Sequence, residues 1–332
     1  MIFVTGGTGL IGNFLIHHLL KKGAVIKALY RHDIPVQFRQ NNRIEWIKGD
    51  ILDATLLREI IQEANIVYHC AGLVSYAPQD AEVLKRINIE GTANVVNACL
   101  INSQVALCHV SSIAAIGTKK EQERLTEEAK WDAAAEHSLY ASSKYFGELE
   151  VWRGIAEGLR AVIVNPSVVL GPAADWNRSS TQLFKYVAEE RPFYTSGSAN
   201  FVDVRDVVDA MVCLMERPDT YGERFILNAE CISYKEFFTQ VASCLNKKAP
   251  AWKVPGLLAE VVWRLEHLRS VITRKRPLIT KDTARIAKRK HVYSNEKISQ
   301  VLNLTFRSLP ETIAWCCQEV KKQQRLPETV SR

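Results

Sequence analysis

What most constrains this chain is the passage from an apolar run, Ile2-Phe3-Val4, through Thr5-Gly6-Gly7-Thr8-Gly9-Leu10-Ile11-Gly12 into the amphipathic stretch 14–20. A strand-period segment and a helix-period segment are joined there by a turn with glycine at 6, 9 and 12. Glycines so spaced let the chain turn tightly, bring backbone N–H groups against a pyrophosphate and pack helix on strand. The helix N-terminus adds partial positive charge. The same punctuation continues through VIKALYR, IEWIKGD, LLREIIQEA, IVYHCAG, ANVVNACLINS and ALCHVSS. Runs such as IVYHCA and AVIVNPSVVLG are apolar on both faces, as strands sandwiched between helices must be. The predicted fold is α/β, a doubly wound parallel sheet.

Beyond Pro172 the rhythm weakens: a polar loop ADWNRSST, a strand-like FVDVRD, a helix VVDAMVCLMERP and a strand RFILNA. The last hundred or so residues read mainly as helix, in LLAEVVWRLEHLRSVI and the terminal LPETIAWCCQEVKKQQ. The spacing predicts a dinucleotide-binding domain over 1–172, joined by segments near 200–228. A smaller, mainly helical and discontinuous substrate lobe is drawn from 173–332.

The 332 residues are 47% hydrophobic and 24% charged, enough for a packed core. No apolar run reaches the ~18 residues of a membrane span. The start lacks the basic region and cleavage site of a secretory signal, so a cytoplasmic location is expected. The eight cysteines, Cys70, Cys99, Cys108, Cys213, Cys231, Cys244, Cys316 and Cys317, follow no metal-ligand spacing and read as reduced core thiols, with no metal expected. The formal net charge of +7 is local: between Arg264 and Lys290 ten Lys/Arg face only Glu266 and Asp282. No basic face is spread for nucleic acid.

After the second strand the usual acidic residue is absent and Arg31 follows Tyr30. A guanidinium there suits a 2′-phosphate, so NADP(H) is favoured and NAD(H) remains possible. Asp50 is placed to meet the adenine amino group, or else to cap the helix from Ala54 onward.

Tyr140 and Lys144, four apart, leave one face of a helix. An ammonium beside a phenol is expected to lower the tyrosine pKa and make it a proton donor and acceptor for a substrate oxygen. Ser112 ends the strand ALCHVSS, where open parallel sheets bind ligands, and its hydroxyl can donate to the same oxygen. Ser111 competes for that role.

In their order and spacing TGGTGLIG, GDILD, HCAGLVS, NIEGTANVV, HVSSIAAIG, YASSK, NPSVVLGP, FVDVRDVVDA and RFILNA resemble the extended short-chain dehydrogenase/reductase family, also called the NAD-dependent epimerase/dehydratase family, with its Rossmann fold. The resemblance implies Ser112, five residues before Gly117, as catalytic serine, Tyr140 as acid/base and Lys144 as the partner of the nicotinamide ribose. It implies cofactor contacts at Leu10, Ile11, Asp50, Ile51, Cys70, Ala71, Gly72, Leu73, Val74, Asn88, Val164, Asn165 and Pro166, and a homodimer.

Dehydratases of the family carry an Asp-Glu pair after the catalytic Ser/Thr; here Ile113 and Ala114 stand there and cannot move a proton. Epimerases, with tightly bound NAD, usually keep an acid where this chain has Arg31. ALYR, HCAGLVSYA and NPSVVLGP look more like the dihydroflavonol-reductase and 3β-hydroxysteroid-dehydrogenase branch. The expectation is reversible carbonyl reduction on a small molecule, with an epimerase or a catalytically silent cofactor sensor as alternatives. Ser75, Tyr76, Ser112, Asn165, Trp176 and Phe184 are candidate linings for an apolar or ring-shaped substrate, or else packing. The basic segment 264–290 reads as a solvated face, a peripheral contact for anionic lipid or a receiver for a phosphorylated substrate.

Overall fold

The structure, a computed structural model, describes residues 1–117, 124–172, 180–255, 263–264, 269, 280–286 and 290–325. Its strands are β1 (Ile2–Thr5), β2 (Ile26–Tyr30), β3 (Ile44–Lys48), β4 (Ile66–His69), β5 (Ala106–Val110), β6 (Arg124–Leu125), β7 (Arg160–Pro166), β8 (Val168–Leu170), β9 (Phe193–Tyr194), β10 (Ser198–Asp203), β11 (Arg224–Leu227), β12 (Glu230–Ser233), β13 (Trp252–Lys253) and β14 (Val292–Tyr293). Seven of them form one sheet in the order β11-β7-β5-β4-β1-β2-β3, every pairing parallel. The chain runs outward from β1 in one direction to β3 and then, from β4, in the other. The carboxyl ends of β1 and β4 therefore part into a crevice, the place where such sheets take ligands.

The helices between the strands are α1 (Leu10–Lys21), α2 (Ala54–Gln62), α3 (Ala81–Lys85), α4 (Gly91–Ile101), α5 (Leu139–Ala156), α6 (Thr181–Ala188), α7 (Val204–Met215) and α8 (Tyr234–Leu245). Alternate residues of each strand go to opposite faces. Val4, Ala28, Tyr68, Cys108 and Val162 are covered by Leu15 and Ile16 of α1 and Val207 and Met211 of α7. Phe3, Val67, Leu107 and Ile163 are covered by Leu57 and Ile61 of α2, Val95 and Val96 of α4 and Val151 of α5. The predicted doubly wound α/β architecture is thus present.

AVIVNPSVVLG is two strands rather than one. Pro166 ends β7 opposite Leu227, Ser167 N–H donates to the Leu227 carbonyl at 2.9 Å, and the chain then leaves as β8 for a second sheet, β12-β10-β8. FVDVRD likewise divides at Asp203, whose side chain caps α7 by accepting from Arg205 N–H, so the helix starts before the predicted Val207. A third apolar cluster joins this smaller sheet to α6, α8 and the helix Leu309–Arg325, with the rings of Phe201 and Phe237 stacked at 4.5 Å. All eight cysteines are free thiols, but Cys213 is exposed rather than in a core. Most of LLAEVVWRLEHLRSVI and of the basic segment 264–290 lies outside the described residues.

Candidate active site

The glycine turn lies across the β1/β4 crevice. Gly6 has φ +69°, and a Cβ there would stand 2.5 Å from Ala71 N and 2.6 Å from Cys70 C, so a side chain would close the crevice. A Cβ on Gly12 would strike the Gly6 carbonyl oxygen. Gly9 caps α1 without a side-chain hydrogen bond, and no acidic residue occupies the first turn. Leu10 and Ile11, half-buried, begin that turn. A cradle that only backbone can line, at a helix N-terminus free of competing carboxylates, fits a dinucleotide pyrophosphate.

Arg31 Nη1 and Asp50 Oδ2 are 3.8 Å apart, and both side chains are largely exposed. Asp50 Oδ1 accepts from Leu52 N–H at 3.0 Å, while Asp53 caps α2 by accepting from Leu56 N–H. The capping alternative for Asp50 therefore gives way to Asp53. Ile51 is buried against Gly91, which leaves only its backbone for a ligand.

On the other lip, the segment after β4 is held from beneath. Cys70 N–H donates to the Thr5 carbonyl and Ala71 N–H to Thr5 Oγ1. Asn88 accepts from Leu73 N–H at 2.8 Å and donates to the Leu73 carbonyl and to Ser143 Oγ, each at 2.9 Å. It lies in a π turn, Arg86–Glu90, between α3 and α4. Its amide, 2% exposed, is bonded on both sides and fixes the position of residues 70–74. Gly72 and Val74 are exposed beside it.

Ser138 caps α5 through Ala141 N–H, which sets Tyr140 in the first turn and Lys144 one turn on. Lys144 Nζ donates to the Val110 carbonyl at 2.8 Å, at the carboxyl end of β5, and stands 3.7 Å from where a Gly72 Cβ would be. The Ser112 hydroxyl lies near enough to Tyr140 to act on its phenol. Ser112 Oγ also accepts from Ala114 N–H, whereas Ser111 donates to buried Glu148 at 2.6 Å, so the two serines point to different neighbours.

Burial pushes the Tyr140 phenol above its ordinary pKa, with the Ser112 hydroxyl opposing. This reverses the expectation that Lys144 would lower it: without cofactor, desolvation of the phenolate dominates. Burial also brings Lys144 down to about 8, against the fields of Glu148 and Cys70.

The expected linings scatter. Tyr76 presents its ring edge-on to Tyr140, centroids 5.6 Å apart. Ser75 donates to Asp80 at 2.6 Å and accepts from Ala77 N–H, so it fixes its own loop. Asn165 is fully buried and donates to the Ser112 carbonyl and to Glu148. Phe184, 1% exposed, packs edge-on to Phe237 in the core, a correction that its apolar surroundings explain. Val164 and Pro166 are buried in β7, and Trp176 lies outside the described residues.

Sequence reasoning missed the polar layer beneath the site. His69 is hydrogen bonded to Thr5 and Thr92, and burial lowers it to about 3. His109 lies beside it, ring centroids 5.2 Å apart. Glu148 joins Ser111, Asn165, Trp152 and Arg224. Its signal was available, since Glu148 follows Lys144 by the four residues that separate Lys144 from Tyr140. Glu148 and Arg224 also line a cavity of about 510 Å³ with Glu127, Trp131 and Trp152.

A crevice at the chain reversal that admits only backbone is where doubly wound sheets hold dinucleotides, and it places the protein among the dinucleotide-binding α/β enzymes. The chain belongs to the NAD dependent epimerase/dehydratase family, whose sequence pattern matches residues 2–229. It is 30% identical over 321 residues to a Synechocystis protein named "Putative dihydroflavonol 4-reductase", covering 94% of this chain and 92% of that one. It is 28% identical over 277 residues to Petunia hybrida cinnamoyl-CoA reductase 1, covering 79% and 81%. The crystal structure of gox2253 superposes with a TM-score of 0.83 at 26% identity, over 98% of this chain and 99% of the other. No helix among the described residues is long and apolar enough to cross a membrane.

Proposed function

We propose that the protein transfers hydride between NADP(H) and a small-molecule carbonyl or secondary alcohol, with Ser112, Tyr140 and Lys144 as its catalytic set. The observation that carries this reading is convergence: the hydroxyls of Tyr140 and Ser112 close to one another, and an ammonium anchored on the Val110 carbonyl 3.7 Å from where a Gly72 Cβ would be. The nicotinamide, when bound, supplies or accepts the hydride. Ser112 polarises the substrate oxygen. Tyr140 gives that oxygen a proton in reduction and takes it back in oxidation. Lys144 holds the cofactor ribose and places positive charge near the phenol.

Burial keeps the proton on Tyr140, the form that reduction needs. The names of the two reductase relatives support the same direction. Arg31, exposed and 3.8 Å from Asp50, supports a 2′-phosphate. Tyr76 against Tyr140 supports an apolar or ring-shaped substrate, held between the main sheet and a lobe built on β8, β10 and β12. The exposed Leu139, Phe146 and Leu149 on α5 support a homodimer through that helix, in the cytoplasm. The test is to purify the protein, identify the nucleotide it retains, and follow NADPH oxidation with a panel of aromatic and cyclic carbonyls. Exchangeable NADPH and carbonyl-dependent oxidation are expected; tightly retained NAD with no such oxidation would move the assignment to a sugar epimerase.

A further inference from the structure

One buried carboxylate on α5 ties together the chain just after β5, strand β7 and strand β11. Glu148 is 1% exposed and lies two helical turns after Tyr140 and one after Lys144. Oε2 accepts from Ser111 Oγ at 2.6 Å and from Asn165 Nδ2 at 2.7 Å. Oε1 accepts from Trp152 Nε1 at 3.2 Å and from Arg224 Nη1 at 3.0 Å. Asn165 Nδ2 also reaches the Ser112 carbonyl at 3.0 Å. Arg224 is held in turn by the carbonyls of Glu127 and Ala129, and Glu127 accepts from Ile226 N–H. A carboxylate with four donors, one of them a guanidinium, is fixed in place, as a buried charge must be. We propose that Glu148 is the positioning residue of this site: it fixes the strand end that carries Ser112, through Ser111 and Asn165, and supplies the negative charge facing Lys144.

Among the described residues, the surroundings of Lys144 offer no other group that supplies that charge. Facing it from β4 is His69, from β5 His109, and from the segment after β4 Cys70. Burial keeps both histidines neutral and pushes the Cys70 thiol up to about 12. Tyr140, on the same helix, holds its proton. Glu148 is thus the anion opposing the desolvation of Lys144.

The inference rests on Lys144 belonging to the site, but its test needs no turnover. In the full-length, cofactor-free protein, lysines are reductively ¹³C-methylated, the Lys144 signal is assigned with Lys144→Arg, and its midpoint is followed by NMR. The wild-type midpoint is expected near 8. In Glu148→Gln it falls by about one pH unit or more, and in Glu148→Asp, which keeps the charge, it stays within about 0.3 of wild type. An unmoved midpoint in folded Glu148→Gln overturns the proposal. If that variant does not fold, Glu148→Asp decides, and a drop of about a unit despite the retained charge overturns it. Asn165→Ala is expected to speed hydrogen exchange of the Ala114 amide, bonded to Ser112 Oγ, on the order of tenfold; unchanged exchange overturns the link to Ser112. Should the wild-type protein reduce no carbonyl while the Glu148 variants behave as stated, the hydride-transfer reading fails and this one stands.

Discussion

A phenol buried above its ordinary pKa carries its proton at neutral pH but is a weaker acid for it, so any proton transfer from Tyr140 depends on what stabilises its single oxygen. Tyr140→Phe keeps the ring and its edge contact with Tyr76 but loses the hydroxyl near Ser112. Carbonyl reduction is expected to fall ~10²-fold or more with the NADPH dissociation constant within about twofold of wild type; a smaller loss in kcat would remove the proton transfer from this residue. Arg31 acts on binding alone. Arg31→Ala is expected to weaken NADPH by roughly tenfold or more, the worth of a charged hydrogen bond, and to leave NADH unchanged. Fluorescence titration of both nucleotides reads the difference, and equal losses would dismiss the 2′-phosphate. The placement of Tyr140 and Lys144 on one helical face, and of the glycines at a strand-to-helix turn, was legible because it lies in spacing within one element. Ser75, Asn165 and Phe184 were not: the same residue types serve a pocket wall or a core, and only long-range packing decides which.

At the scale of elements, α5 organises the site, and the π turn between α3 and α4 holds the opposite lip to it. Asn88 bridges the two, with its amide on Leu73 and on Ser143 of α5. π turns recur at functional sites because the extra residue re-aims a side chain. Asn88→Ala strips buried groups of their partners and is expected to cost about 1–3 kcal/mol, read as a lower urea midpoint at unchanged slope. Cofactor affinity should weaken with it as residues 70–74 loosen; a variant with wild-type stability would show that the amide holds nothing. The strand and helix alternation that builds this frame was legible from hydrophobic period, yet AVIVNPSVVLG hid a change of sheet. Nothing local marks it except Pro166, which has no N–H to continue the ladder. The Glu148–Arg224 pair was hidden for a different reason, since the partners are 76 residues apart and each reads locally as an ordinary surface charge.

For the whole molecule, the polar layer under the parallel sheet sets how stability answers to acid. His69 and His109 are buried and neutral, their pKa values held below 6.5 by desolvation, with the Lys144 charge adding to it. A histidine whose folded pKa is depressed binds fewer protons folded than unfolded between the two pKa values. Its contribution is therefore complete above about 6.5 and is lost progressively as the pH falls. For His69, lowered to about 3, the loss at pH 5 amounts to about 2 kcal/mol. Urea midpoints should thus fall from pH 7.5 to pH 5 even where surface carboxylates remain ionised. His109 isolates the effect, because among the described residues neither ring nitrogen has a hydrogen-bond partner. His109→Leu removes the titrating ring without orphaning a neighbour. It is expected to flatten the pH dependence by about 1.4 kcal/mol per pH unit below 6.5 and to leave the variant more stable than wild type at pH 5. A slope identical to wild type would mean that His109 takes up its proton while folded, and the neutral layer beneath Lys144 would have to be redrawn.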